Sequence, residues 1–179
     1  MGELPQKFEG RLFRNGPGVL ARGEQTVPHW FAGNGAMLQI EFVDGKCRAQ
    51  YCHTPTIRYL EEEKTNTIPK FNPFGLLKKI VTGDQQLDQT NPANTSVLPL
   101  PNSNIVYAIC EGGSPFRLAK DTLDSQGFDQ LGYLQSAYSA HPKIDPETHD
   151  IYNFGFSPDM TRIVIYRSSA DLKALKATG

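Results

Sequence analysis

Little in this sequence commits it to a chemistry at first sight. Its three cysteines, Cys47, Cys52 and Cys110, are odd in number and irregularly spaced. They form neither a disulfide framework nor a CxxC zinc pair, and they read as buried or spare thiols of a reducing compartment. There are four histidines, His29, His53, His141 and His149, and no two stand at the i, i+4 spacing of a helical metal pair. That excludes an HExxH-type site, so any metal would need ligands gathered from separate elements. No GxSxG nucleophile elbow occurs. Charge of either sign is not in surplus: 18 Lys and Arg stand against 19 Asp and Glu, for a net charge of −1. This balance gives no electrostatic drive toward nucleic acid. No apolar run approaches the ~20 residues of a membrane-spanning helix. The opening MGELPQKFEG has no apolar signal-peptide core, and Gln6 breaks a myristoylation pattern.

Turn residues are plentiful, with 16 glycines and 13 prolines in 179 residues, a length that suits one domain. A short alternating run from Gly10 to Arg14 is expected to stop at Asn15-Gly16-Pro17-Gly18. Met37 to Val43 alternates, Asp44-Gly45 turns, and Lys46 to Cys52 returns, a strong hairpin signal. Ser96 to Leu100 with Ile105 to Cys110, and Ile151 to Ser157 with Arg162 to Arg167, predict two more hairpins. One short helix with an apolar face fits Pro73 to Thr82, and a helical turn or irregular loop fits Asp121 to Gly127. Ser169 to Gly179 carries helix-favouring residues without a clear stop. The fold class is therefore all-β and antiparallel, and a sandwich and a propeller both fit. Three open hairpins leave long unpaired edges, so the chain is expected to be part of a larger domain, with a small sandwich as the alternative.

Two residues draw notice. His141 precedes Pro142, which biases it toward extended backbone, so its ring can be presented at a fixed angle from a strand end. The plain alternative is a turn histidine with a satisfied backbone bond. Glu111 ends the apolar run Ile105 to Cys110, where a carboxylate needs a partner: a ligand imidazole, or a salt bridge at a hairpin end. The aromatic, glycine-dense run His29-Trp30-Phe31-Ala32-Gly33-Asn34-Gly35 leads into a strand rather than a helix, which argues against a phosphate loop and for a tightly packed turn. Glu61-Glu62-Glu63 is expected to be a solvated face, since neighbours on a strand point to opposite sides.

Four of these segments together resemble a known family. Gly10-Arg11-Leu12-Phe13-Arg14-Asn15-Gly16-Pro17-Gly18, His29 to Leu38, Glu111-Gly112-Gly113-Ser114-Pro115 and Ser139-Ala140-His141-Pro142-Lys143-Ile144-Asp145-Pro146 are similar, in order, to motifs of the carotenoid cleavage oxygenases, most of all the bacterial apocarotenoid oxygenases. The resemblance covers essentially the whole chain. It implies an all-β fold, the N-terminal blades of a seven-bladed β-propeller with short helices in the connections. It implies that residues 1–179 are the N-terminal part of one such domain, which is incomplete here. The family's Fe(2+) is held by four histidines, of which His141 alone has a match, the others being expected beyond Gly179. Glu111 falls where the family keeps a glutamate that hydrogen-bonds a ligand histidine, and its partner is expected among the residues beyond the chain. Ala32 and Asn34 stand where the family usually carries acids.

The reaction so implied is dioxygenase cleavage of a carotenoid or apocarotenoid double bond by O2, giving two carbonyl products, with the isolated 179 residues inactive. Four neutral imidazoles leave positions open on ferrous iron, and carboxylates behind them fix their tautomers. An apolar tunnel would bind the polyene. Phe71, Phe74, Leu76 and Leu77, beside two lysines, form either a patch that dips into a membrane surface or a helix packed on the propeller. The expected location is cytoplasmic, with peripheral membrane contact left open, and nucleic acid is not an expected partner. Two alternatives stand: a truncated, non-catalytic remnant without iron, and a small β-protein that binds an apolar ligand.

Overall fold

The computed structural model describes residues 4–5, 7–68, 88, 91–111, 113–131, 137–157, 161–169 and 175–178. Strand β1 spans Gly10–Val19, followed by the short β2 (Ala21–Arg22) and β3 (Gln25–Thr26), a 3-10 turn at Trp30–Ala32, β4 (Asn34–Val43), β5 (Lys46–His53) and helix α1 (Ile57–Thr65). Then come β6 (Ser96–Pro99), β7 (Ile105–Ile109), β8 (Phe116–Ala119), β9 (Ser125–Phe128), β10 (Lys143–Ile144), β11 (Ile151–Phe156), β12 (Ile163–Ser168) and β13 (Leu175–Thr178). The strands form a three-stranded sheet β1-β4-β5, a four-stranded sheet β6-β7-β8-β9, a four-stranded sheet β10-β11-β12-β13 and the ribbon β2-β3. Every pairing is antiparallel.

The three expected hairpins are present. At the tip of β4-β5, Asp44 and Gly45 both take positive φ, 51° and 69°, the backbone that a tight two-residue hairpin turn requires. β6 pairs with β7, and β11 with β12. The β1 expectation needs correction: pairing with β4 continues through Asn15↔Met37, Gly16↔Ala36 and Pro17↔Gly35, and a register shift follows Pro17. Asn15 makes this possible by donating from Nδ2 to the carbonyls of Ala93 and Ser96, tying the strand to the next sheet. Residues 125–127, within the segment expected to be a helical turn or irregular loop, belong to β9, and the helix-favouring end of the chain holds β13. The helix expected at Pro73 to Thr82 lies outside the described residues.

The middle sheet is covered on both faces. On β7, Val106 and Ala108 point to one cluster with Met37, Phe116, Leu118 and Leu123, whereas Tyr107 and Ile109 point to another with Leu98, Ile151, Val164 and Tyr166. A strand apolar on both faces reads as the continuous run Ile-Val-Tyr-Ala-Ile rather than an alternation. The three sheets therefore pack in series, not as the two facing sheets of a sandwich. The outer face of the third sheet is open and carries Tyr152, Phe154, Phe156, Ile163 and Ile165.

Glu61-Glu62-Glu63 is not a strand face. It lies on α1, whose N-cap Thr56 accepts from Tyr59 N and whose end is marked by Asn66 in the left-handed region. Helical spacing turns Glu62 inward, to 1% exposure, where Arg58 Nε donates to it at 2.8 Å and Asn34 Nδ2 donates to it at 2.5 Å.

Candidate functional site

Two loops meet at the seam between the second and third sheets. The first leaves β7 at Ile109 and carries Glu111. The second precedes β10 and carries His141. An isolated bridge pairs Gly113 with Tyr138, whose N–H donates to the Gly113 carbonyl at 3.2 Å, and so lays the loops side by side. A β-carbon on Gly113 would fall 2.6 Å from Asn91 Nδ2 and 2.8 Å from Asp88 Oδ1, so a larger residue would displace the two side chains that hold this loop. Asp88 Oδ1 accepts from Ser114 N at 2.7 Å, and Asn91 Nδ2 donates to the Ser114 carbonyl at 2.9 Å.

The result is that Glu111 Oε1 stands 3.2 Å from His141 Nε2. Both singled-out residues are thus brought together, and the structure gives Glu111 a partner inside the chain, where the sequence reading looked beyond Gly179. Both side chains are solvent-facing, 55% exposed for Glu111 and 65% for His141. The backbone N–H of His141 donates to Ser139 Oγ at 3.2 Å, so the plain turn bond exists as well. Tyr107, Tyr138 and Tyr166 are buried in the cluster between the second and third sheets. Burial pushes the Tyr138 hydroxyl up to about 12, and burial together with its 2.6 Å hydrogen bond to Asp129 raises Tyr107 further.

The remaining histidines have other work. His29 Nδ1 accepts from Phe31 N, His53 Nδ1 lies 3.2 Å from Tyr59 Oη, and His149 sits in a turn with its N–H on the Asp145 carbonyl. The expectation of a tightly packed turn holds for only part of the glycine-rich run: Gly33, Asn34 and Gly35 are buried, whereas Trp30 and Phe31 are 56% and 63% exposed. Gly35 lies against Ala93 with no room for a side chain, and Asn94 Nδ2 donates to the carbonyls of Phe31 and Gly33. Where the family usually has acids, Arg58 donates to the Ala32 carbonyl and Glu62 accepts from Asn34. The three cysteines are free thiols, with Cys47 exposed.

The donor chemistry of the pair fits a borderline metal such as ferrous iron. An imidazole held by a carboxylate is the arrangement that fixes tautomer and ring direction at metal sites. In number it falls short: among the described residues no three His, Cys, Asp or Glu side chains gather where one ion would reach them. Phe71, Phe74, Leu76 and Leu77 lie outside the described residues. Among the described residues no helix is long and apolar enough to cross a membrane.

Sequence reasoning missed the polar residues that hold these loops: Asp88, Asn91, Ser96, Ser139 and Asn153. The local pattern gave no signal for them: in Ile-Tyr-Asn-Phe-Gly-Phe the aromatic positions 152, 154 and 156 face outward, and Asn153 is the one turned inward.

Comparison with known proteins bears on this geometry. The retinal pigment epithelial membrane protein family matches residues 1–178. The chain is 34% identical over 155 residues to the apocarotenoid-15,15'-oxygenase of Synechocystis sp., covering 81% of this chain and 30% of that protein. It is 31% identical over 179 residues to the isoeugenol monooxygenase of Pseudomonas nitroreducens, covering 92% of this chain and 35% of the relative. The cobalt-substituted Synechocystis apocarotenoid oxygenase superposes with a TM-score of 0.77 at 28% identity, over 99% of this chain and 40% of that one. The chain thus spans about a third of the length of the curated relatives it matches.

Proposed function

Since the chain belongs to the retinal pigment epithelial membrane protein family, we propose that it forms the N-terminal part of a non-haem iron(II) dioxygenase. That enzyme splits a carbon–carbon double bond of a carotenoid or apocarotenoid. One O2 is consumed and each alkene carbon leaves as a carbonyl, so atoms balance without a further co-reactant. The observation that carries the reading is the 3.2 Å approach of Glu111 to His141, two residues in two separate family-like motifs.

His141 would hold the iron as one of several imidazole ligands. Ferrous iron, when bound, would supply the site at which O2 is made reactive toward the alkene. Glu111 accepts the imidazole N–H, holding the ring in one tautomer and making it a better donor. The rest of the ligand set, and the seven-bladed closure, belong to chain beyond these residues. Phe71, Phe74, Leu76 and Leu77 are proposed to meet a membrane surface, from which a polyene would be collected. A second reading, an aryl alkene as substrate, is favoured by the 31% identity to isoeugenol monooxygenase over 92% of the chain.

The test is anaerobic reconstitution of the full-length protein with Fe(II), followed by incubation with an apocarotenal or isoeugenol under O2. Carbonyl products from the apocarotenal, lost in His141→Ala, are expected. Turnover of isoeugenol alone would move the reading to the aryl alkene, and turnover unchanged in His141→Ala would overturn the ligand assignment.

A further inference from the structure

We propose that Tyr107 and Asp129 form a redox site, in which the buried phenol gives one electron to an outer-sphere oxidant and its proton to the carboxylate. The site is independent of the reading of Glu111 and His141 given above.

Tyr107 lies in the middle of β7 and is fully buried. Its neighbours on the strand, Val106, Ala108 and Ile109, are apolar. A phenylalanine would fill the same place, so packing does not call for the hydroxyl, which is costly to bury unless it is bonded. Its partner is a carboxylate: Tyr107 Oη donates to Asp129 Oδ2 at 2.6 Å. That carboxylate is pinned in turn. Its Oδ1 accepts from Leu131 N at 2.8 Å, and the Asp129 N–H donates to the Pro115 carbonyl at 2.9 Å. Arg117, the cross-strand partner of Tyr107, brings Nη1 to 3.8 Å from Oδ2. Oδ2 is therefore aimed at the phenol before any reaction. The Asp129 side chain is 18% exposed, so a proton taken up there can pass on to water that does not reach the phenol.

These surroundings dictate how the phenol can be oxidised. It packs among Leu98, Ile109, Ile151 and Val164. Burial and the Asp129 bond suppress its loss of a proton as an acid. Loss of an electron alone would leave a charged ring in apolar surroundings. A phenol that has lost an electron is, however, a very strong acid, and the carboxylate at 2.6 Å takes the proton as the electron leaves. The Tyr107 O–H bond breaks, an O–H bond forms on Asp129 Oδ2, and the oxidant is reduced by one electron. A neutral phenoxyl radical remains, and one electron from a reductant such as ascorbate, with the proton from Asp129, restores the phenol. Other tyrosines are placed less well for this. Tyr138 is hydrogen-bonded to Asn153, an amide that does not take up a proton. Tyr59 meets a carboxylate at 3.1 Å, that of the exposed Glu63.

The experiment oxidises the metal-free chain with ruthenium(III) tris(bipyridine), made by a light flash with a cobalt(III) ammine as electron acceptor. Freeze-quench electron paramagnetic resonance reads the radicals, and ring-deuterated tyrosine identifies those on tyrosine. Radicals on exposed side chains, Trp30, Tyr51 and Tyr152 among them, meet solvent and one another and decay. A tyrosyl signal on Tyr107 is expected to outlast them. Tyr107→Phe should abolish that signal and Tyr59→Phe should leave it unchanged. Asp129→Asn should slow its formation roughly 100-fold, the low end of what a positioned proton acceptor contributes. A hydrogen bond with a structural role alone gives no persistent radical in the wild type, and that result overturns the proposal. So does a signal that survives in Tyr107→Phe, is lost in Tyr59→Phe, or forms as fast in Asp129→Asn. Should Tyr107→Phe fail to fold, 3-fluorotyrosine at position 107 decides: the persistent signal then carries a fluorine splitting, or the proposal falls.

Discussion

Glu111 and His141 approach to 3.2 Å from loops that belong to different sheets, one leaving β7 and one entering β10. The contact is thus a report on how the second and third sheets are docked as well as on the side chains. In the full-length protein, His141→Ala is expected to remove iron retention and turnover together, because it would delete one of the metal bonds proposed above. Glu111→Gln keeps an acceptor oxygen and loses the charge, so iron affinity or rate should fall by about 10–100-fold. Metal analysis beside product formation checks both. A Glu111→Gln protein matching the wild type in both assays would return Glu111 to a salt bridge at a hairpin end.

The series packing of the sheets has a stability signature. Ile109 is fully buried between the second and third sheets, whereas Ile165 is 46% exposed on the open face of the third. Ile109→Ala should cost about 2–5 kcal/mol by removing apolar contacts and leaving a cavity. Ile165→Ala should cost within about 0.5 kcal/mol in this chain. Urea unfolding of the two variants measures the difference, and equal losses would mean that the third sheet is covered on both faces.

Much of the fold was legible because local chemistry and tertiary environment agree. Asp44-Gly45 names its own turn, and Ile105 to Ile109 is a strand apolar on both faces because it lies between two cores. The NGPG segment misled because its turn-forming residues are overridden by the two bonds that Asn15 makes to another sheet. Ser125 to Phe128 has no alternation, and only its pairing with β8 makes it a strand. Helix α1 did announce itself, through Thr56 at its start and Asn66 at its end, but three consecutive glutamates drew the reading away from it. At the site, His141 and Glu111 were visible by resemblance. The residues that hold them were not, because a serine or asparagine becomes a clamp only once register decides which carbonyl it faces.

The buried end of α1 gives a further test. Glu62 accepts from both Arg58 and Asn34 in a nearly solvent-free position. Glu62→Ala would leave a guanidinium and an amide facing a gap, and should cost roughly 2–4 kcal/mol. Glu62→Gln keeps one acceptor and should cost about 1 kcal/mol. Denaturant midpoints of the two variants check this ordering, and a neutral Glu62→Ala would place the carboxylate in solvent.

Alkaline pH should unfold the chain early. Tyr138 in the folded state is held neutral up to about 12, and Tyr107 beyond that, each above the value of a tyrosine in an unfolded chain. Above about pH 10 the unfolded state therefore releases protons that the folded state keeps. Stability contributed by these groups is fully present below pH 10 and is lost as pH rises toward the folded values, at about 1.4 kcal/mol per pH unit for each tyrosine. Denaturant melts from pH 9 to 11.5, followed with tyrosinate absorbance, check the slope. A flat profile would mean that the two hydroxyls are open to water.

The most direct test of the site is made on the chain itself. Fe(II) is added under argon in small steps to the chain labelled with 15N on histidine, and the line widths of the four imidazoles are followed. Selective broadening at His141, reduced in Glu111→Gln, with His29, His53 and His149 unaffected, is the expected result. Equal broadening at all four histidines, or none at His141, would contradict the assignment of His141 as a metal ligand.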